Sequence, residues 1–199
     1  MNTKEMRVGL GLVLLIGVVA IVTFAFQKTD SFRGTLYDPA QPAPEIALTR
    51  ADGQDFRLSD QKGKVVYLFF GYTSCPDVCP TTLAEMRQVR EAVGDKADQV
   101  EVVFVTVDPD RDTPEKVQKY ASVFNPNFIG LSGSMDELQQ IWDAYGVYRK
   151  IEASTDPNDY PVTHSSRLYL VDQGGNLRLS YAFGTPPDDV ARDLKTLLQ

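Results

Sequence analysis

Cysteine is nearly absent from this chain of 199 residues, with Cys75 and Cys79 the only two, and His164 is its single histidine. Iron–sulfur clusters and most structural zinc sites need four Cys or His ligands, so neither can be built here. Positive charge is also scarce: 20 Lys and Arg stand against 27 Asp and Glu, for a net charge of -7. A nucleic-acid partner needs a basic face and does not fit, and membrane-surface binding through basic clusters has no support either. The acidic residues are scattered rather than blocked, which reads as a solvated surface. No internal repeat is present. At 43% hydrophobic and 24% charged residues, the composition suits one folded domain with a single core.

Only one long hydrophobic run occurs. Val8 to Phe26 has no charged residue, and a helix of that length at about 1.5 Å per residue spans about 28 Å, close to the hydrocarbon thickness of a bilayer. No A-x-A cleavage signature follows Phe26, so the run reads as an uncleaved transmembrane anchor rather than a removed signal peptide. Lys4 and Arg7 flank it on one side, Lys28 and Arg33 on the other. The expected layout is a cytoplasmic tail over 1–7, an anchor over 8–26, a linker over 27–43 stiffened by its prolines, and a domain over 44–199 on the outer side of a bacterial inner membrane. No cysteine lies near the run, so a lipid anchor lacks its attachment residue.

The domain reads as an α/β fold. EIALT and DFRLSD bracket a turn-rich tetrapeptide, Ala51 to Gln54, and predict a β-hairpin. VVYLFF (65–70) and VEVVFVTV (100–107) are β-branched and aromatic throughout, the pattern of strands buried on both faces. Leu83, Met86, Val89 and Val93 follow helical spacing between them, from about Cys79 to Val93, with Gly94 placed as a stop. Thr113-Pro-Glu and the capping box Ser134-Met-Asp-Glu137 open two more helices, with FIGL (128–131) as a short strand between them. RLYLVD, a Gln-Gly-Gly-Asn turn and LRLSYAF form a final hairpin, followed by a helix to Leu198. A mixed sheet flanked by helices results, with the cysteine pair at a strand-to-helix junction on the sheet's carboxyl edge.

That junction is GYTSCPDVCP, residues 71–80. Pro76 and Pro80 stiffen the loop before anything binds, and Cys79 near the start of a helix gains from the dipole, which favours a thiolate. Side chains four apart on a helix have Cβ atoms about 5–6 Å apart, whereas a disulfide wants about 3.8 Å. A metal bonded to both sulfurs at about 2.3 Å accommodates the wider spacing with less strain. The geometry tilts toward a metal and leaves the disulfide open, since an exported domain sits where disulfides persist. Two sulfurs and one nitrogen are the most this chain offers, and a soft three-coordinate set points to copper. Met86 is too far along the helix from Cys79 and reads as core. His164, in PVTHSS, falls in a loop entering a strand, and the sequence alone does not carry it to the cysteines.

GYTSCPDVCP, then TVDPDRDTP (106–114), then a histidine shortly before YLVD, resembles the Sco/SenC family of membrane-anchored, thioredoxin-fold copper proteins, and the resemblance runs from about Pro44 to the end of the chain. It implies that Cys75, Cys79 and His164 bind a copper ion. It further implies that the protein delivers copper to, or reduces the cysteines of, the dinuclear centre in cytochrome oxidase subunit II. Another copper chaperone or a thioredoxin-like reductant are the further partners such a role brings. The family usually carries Asp immediately before the histidine, where this chain has Thr163. The rival class is a thiol–disulfide oxidoreductase in which Cys75 and Cys79 are catalytic without a metal; its usual C-x-x-C spacing is not the spacing here. Asp108, Asp110, Arg111 and Asp112 read as residues that order their own loop.

Overall fold

The computed structural model describes residues 32–156 and 159–199. The expected anchor and cytoplasmic tail lie outside them. Among the described residues, no helix is long and apolar enough to cross a membrane.

At the centre runs β4 (Val65–Gly71), buried at every position. An unbroken apolar, β-branched and aromatic strand fits only where both faces of a sheet are covered. It pairs in parallel with β5 (Val100–Thr106), which pairs in parallel with β6 (Ile129–Leu131). On its other side it meets β9 (Leu168–Val171) and then β10 (Asn176–Tyr181), both pairings antiparallel. The last place is taken by β1 (Thr35–Pro42), giving the order β1-β10-β9-β4-β5-β6. The expected hairpin forms as β2 (Ala47–Thr49) and β3 (Asp55–Arg57), a separate sheet.

Among the described residues, four α-helices flank the sheet: α1 (Val78–Glu91), α2 (Pro114–Phe124), α3 (Met135–Tyr145) and α4 (Pro187–Leu197). Local chemistry sets their ends. The Thr113 side chain accepts from the Lys116 amide at the start of α2. The Ser134–Glu137 capping box closes the start of α3, and Gly146, at φ 65°, ends it in the left-handed region. Helix α1 packs against α4 and α2, burying Leu83, Met86 and Val89.

Two expectations are corrected. The stretch read as a linker over 27–43 contributes β1, with Thr35 opposite Ser180 and Pro42 opposite Asn176. Its register slips between Leu36 and Gln41, the interval that holds Pro39. An edge strand tolerates prolines because only one side of it must donate to a neighbour. The entry to this strand is fixed as well: the Arg33 and Gly34 amides donate to the Asp193 carboxylate at 2.9 Å, and Asp193 is a buried residue of α4. The second correction concerns His164, which closes strand β8 (Val162–His164) rather than lying in a loop. That strand pairs with β7 (Arg149–Ile151), placing His164 opposite Arg149.

Candidate metal centre

Strands β4, β5 and β6 are parallel, so the loops that follow them converge on one edge of the sheet. The loop after β4 carries both cysteines. The Cys75 amide donates to the Tyr72 carbonyl at 3.2 Å, which turns the chain back on itself. The Cys79 amide, in the first turn of α1, donates to Cys75 Sγ at 3.4 Å. Cys79 is fully buried while Cys75 is partly exposed, and both are free thiols.

The two sulfurs titrate in opposite directions. A hydrogen bond from the Cys79 thiol, aided by His164 and the Cys79 and Asp77 amides, outweighs desolvation and brings Cys75 down to about 3. Cys79 is pushed far up because it gives its proton to that bond, because it is buried, and because the Cys75 charge lies beside it. The pair therefore shares one proton, with the outer sulfur ionised and the inner one protonated.

The cysteine loop is held from behind by a buried carboxylate. Asp112 accepts from the Thr73 amide at 2.9 Å and from the Thr73 hydroxyl, and from the Thr106 hydroxyl at 2.8 Å. Lys116 Nζ stands 3.4 Å from it, and its own carbonyl accepts from Ser132 Oγ. Gly71 matters in the same place. A Cβ at this position would lie 2.6 Å from Phe104 Cε2 and 2.7 Å from Cys79 Sγ, so only glycine lets the buried sulfur sit against the strand.

His164 comes to this edge on its hairpin. Its ring meets that of Tyr72 edge-on, with centroids 5.7 Å apart. Its Nδ1 lies 2.9 Å from the Ser165 carbonyl oxygen. A carbonyl only accepts, so the bond forms when Nδ1 carries the hydrogen, and the imidazole also bonds Cys75. Two sulfurs and an imidazole nitrogen are the donor chemistry that suits a soft metal. The three donors are neighbours and not a closed cage: among the described residues, no group of three or more His, Cys, Asp or Glu side chains stands ready to hold a metal ion. Thr163 turns away to the residue that follows β7, its hydroxyl donating to Glu152 at 2.8 Å.

The sequence reading of the site includes Gly71, Tyr72 and Thr73 in its motif but assigns no role to any of them, and it leaves out Tyr160. A glycine ending an all-apolar strand just ahead of the cysteine loop was the one available signal, because such a glycine marks a close approach. The other three act through partners 39 or more residues away.

Comparison with known proteins agrees with this architecture. The sequence model of SCO1/SenC matches residues 36–199. An SCO2-like protein of Rickettsia felis is 30% identical over 201 residues, covering 98% of this chain and 98% of its own. The structure of Bradyrhizobium japonicum ScoI with copper bound is 39% identical, with a TM-score of 0.71 over 78% of this chain and 98% of that one. BsSco, described as a member of the Sco family of cytochrome c oxidase assembly proteins with a disulfide switch, is 26% identical, with a TM-score of 0.61 over 82% of this chain and 97% of that one. With a family match that runs from the first strand to the last residue, this chain belongs to the SCO1/SenC family.

Proposed function

We propose that this chain carries copper as cargo, held by Cys75, Cys79 and His164, and hands it to the dinuclear copper centre of cytochrome oxidase subunit II. The observation that carries this reading is the meeting, at one edge of the sheet, of a partly exposed Cys75 whose sulfur accepts from the Cys79 amide, a fully buried Cys79, and the His164 imidazole, which also bonds Cys75. Cys75 is the ligand that meets an incoming soft ion first. Cys79 completes the pair by releasing the proton it shares, and His164 adds the harder nitrogen donor. The copper-bound relative and the oxidase-assembly relative support the cargo and its destination. The apolar run Val8 to Phe26 anchors the domain at the outer face of the inner membrane in this proposal.

The test is copper titration of the full-length chain in detergent, for wild type, Cys75→Ser and Cys79→Ser. One copper per chain is expected. Each substitution should cost more than the ~10–100-fold that changes behind a ligand typically cost. Tight stoichiometric binding by either variant would remove that sulfur from the site.

The unlike protonation of the two thiols also favours a second reading, a dithiol that reduces client disulfides. An ionised outer thiol attacks, and a buried inner thiol resolves the mixed disulfide. His164→Ala, assayed both for copper(II) binding and for disulfide exchange with a client peptide, separates the two activities: exchange survives loss of His164, whereas copper(II) binding does not.

A further inference from the structure

The segments that bear the proposed ligands do not share a sheet. The cysteine loop follows β4 of the six-stranded sheet, and His164 lies on a two-stranded sheet of its own. Something must set the separation between them. The loop between β5 and α2, residues 107–113, touches both. On one side, Asp112 holds Thr73 of the cysteine loop through the amide and the hydroxyl. On the other, the Tyr160 hydroxyl donates to Asp108 Oδ1 at 2.8 Å, two residues ahead of β8. The Arg111 guanidinium bonds Asp108 through Nε and lies over the Tyr160 ring at 3.7 Å and the Tyr72 ring at 5.7 Å. The Val107 carbonyl accepts from Arg149 Nε, on the strand facing His164.

Asp108 and Asp112 are both fully buried. A buried carboxylate is tolerated only when its oxygens are bonded, and a loop that ordered only itself would supply those bonds from within. Here Arg111 supplies one bond to Asp108 from within and Thr106 one to Asp112 from the end of β5, but others come from Thr73 of the cysteine loop and from Tyr160 of the histidine hairpin. The expectation that these residues serve their own loop is therefore too narrow.

We propose that the Asp108–Asp112 loop is a bracket that fixes the distance between the cysteine pair and His164, with Asp112 positioning the thiols through Thr73, and Asp108 with Arg111 positioning the imidazole through Tyr160. This rests on the ligand set proposed above. The two arms act on different oxidation states. Two thiolates satisfy copper(I), whereas copper(II) relies on the imidazole. Loosening the Tyr160 arm thus weakens copper(II) binding selectively, and loosening the Thr73 arm weakens both.

The test uses full-length Tyr160→Leu, Tyr160→Phe, Thr73→Ala and His164→Ala in detergent, with unfolding midpoints measured alongside. Tyr160→Leu should lower copper(II) affinity about 10–100-fold, the range for groups that orient a ligand, and leave copper(I) affinity within about threefold. Tyr160→Phe keeps the ring beneath Arg111 and should lose less. Thr73→Ala should lower both affinities. In the metal-free protein, the through-space NMR contact between the Tyr72 and His164 rings should weaken in Tyr160→Leu and persist in Thr73→Ala. If His164→Ala loses copper(II) affinity while Tyr160→Leu loses none, the bracket is wrong and the ligand set stands. If His164→Ala loses none, the ligand set is wrong, and the metal-free ring contact still decides the bracket. Equal losses of both oxidation states in Tyr160→Leu would overturn the division between the arms.

Discussion

Gly71→Ala puts the packing around the buried sulfur under direct stress. The added methyl would sit 2.6 Å from Phe104 Cε2 and 2.7 Å from Cys79 Sγ, where ordinary carbon contacts are about 3.5–4.0 Å. Roughly 1 Å must be found on each side. Neither neighbour can step into solvent, because both are fully buried and the Phe104 ring is packed on Phe69 and Tyr120 at centroid distances of 5.9 and 5.6 Å. Overpacking of this kind costs about 1–3 kcal/mol. Taking about 2 kcal/mol and a urea slope of about 2 kcal/mol per M, the unfolding midpoint should fall by about 1 M. Copper affinity should fall with it, since the methyl moves the sulfur itself. Gly130→Ala is the matched control: its Cβ would press on the Val117 carbonyl oxygen, in the contact between β6 and α2. It should lose at least as much stability and, while folded, bind copper as wild type does. A Gly71→Ala midpoint within about 0.2 M of wild type would refute the argument, because it would mean that the ring and the sulfur yield freely.

The thiol pair makes a prediction about pH. Cys75 is depressed to about 3, so its alkylation by iodoacetamide should be nearly flat between about pH 5 and 8, instead of rising tenfold per unit as an ordinary thiol near 8.5 does; a tenfold rise per unit would contradict the shared proton. In stability terms, the depressed Cys75 contributes above its unfolded value and loses that contribution as pH falls toward 3, while the raised Cys79 contributes below its unfolded value and loses it as pH rises. Ser134→Ala removes the hydroxyl of the capping box on α3 and should cost about 1 kcal/mol by urea unfolding, with copper binding unchanged.

Sequence alone recovers the features whose causes are local. Helix α3 was legible because its capping box and its terminal glycine lie within its own span, and β4 because every residue in it is apolar. The cysteine loop was legible as a candidate site from its position after such a strand. What escaped depends on partners distant in the chain. Nothing in TLYDPAQP signals a strand until β10 supplies the other half of its ladder. The β7–β8 hairpin has only three residues in each strand, too few for alternation to register, and ten residues separate the strands. Asp112 reads as a loop residue in sequence, and only the fold brings Thr73 to it.

The edge strand β1 also changes where this domain can safely be cut. A fragment starting at Pro44, the boundary that composition recommends, would strip β10 of its outer partner and expose a row of unpaired amides and carbonyls to any second copy. The same cut removes the Arg33 and Gly34 amides from Asp193, leaving a carboxylate that is 2% exposed with the Tyr181 hydroxyl as its remaining described partner. An open template for self-association and an underpaired buried charge would then come together in one fragment. A fragment that begins ahead of Phe32 has neither defect, so the proline-rich stretch works as the domain's guard against aggregation.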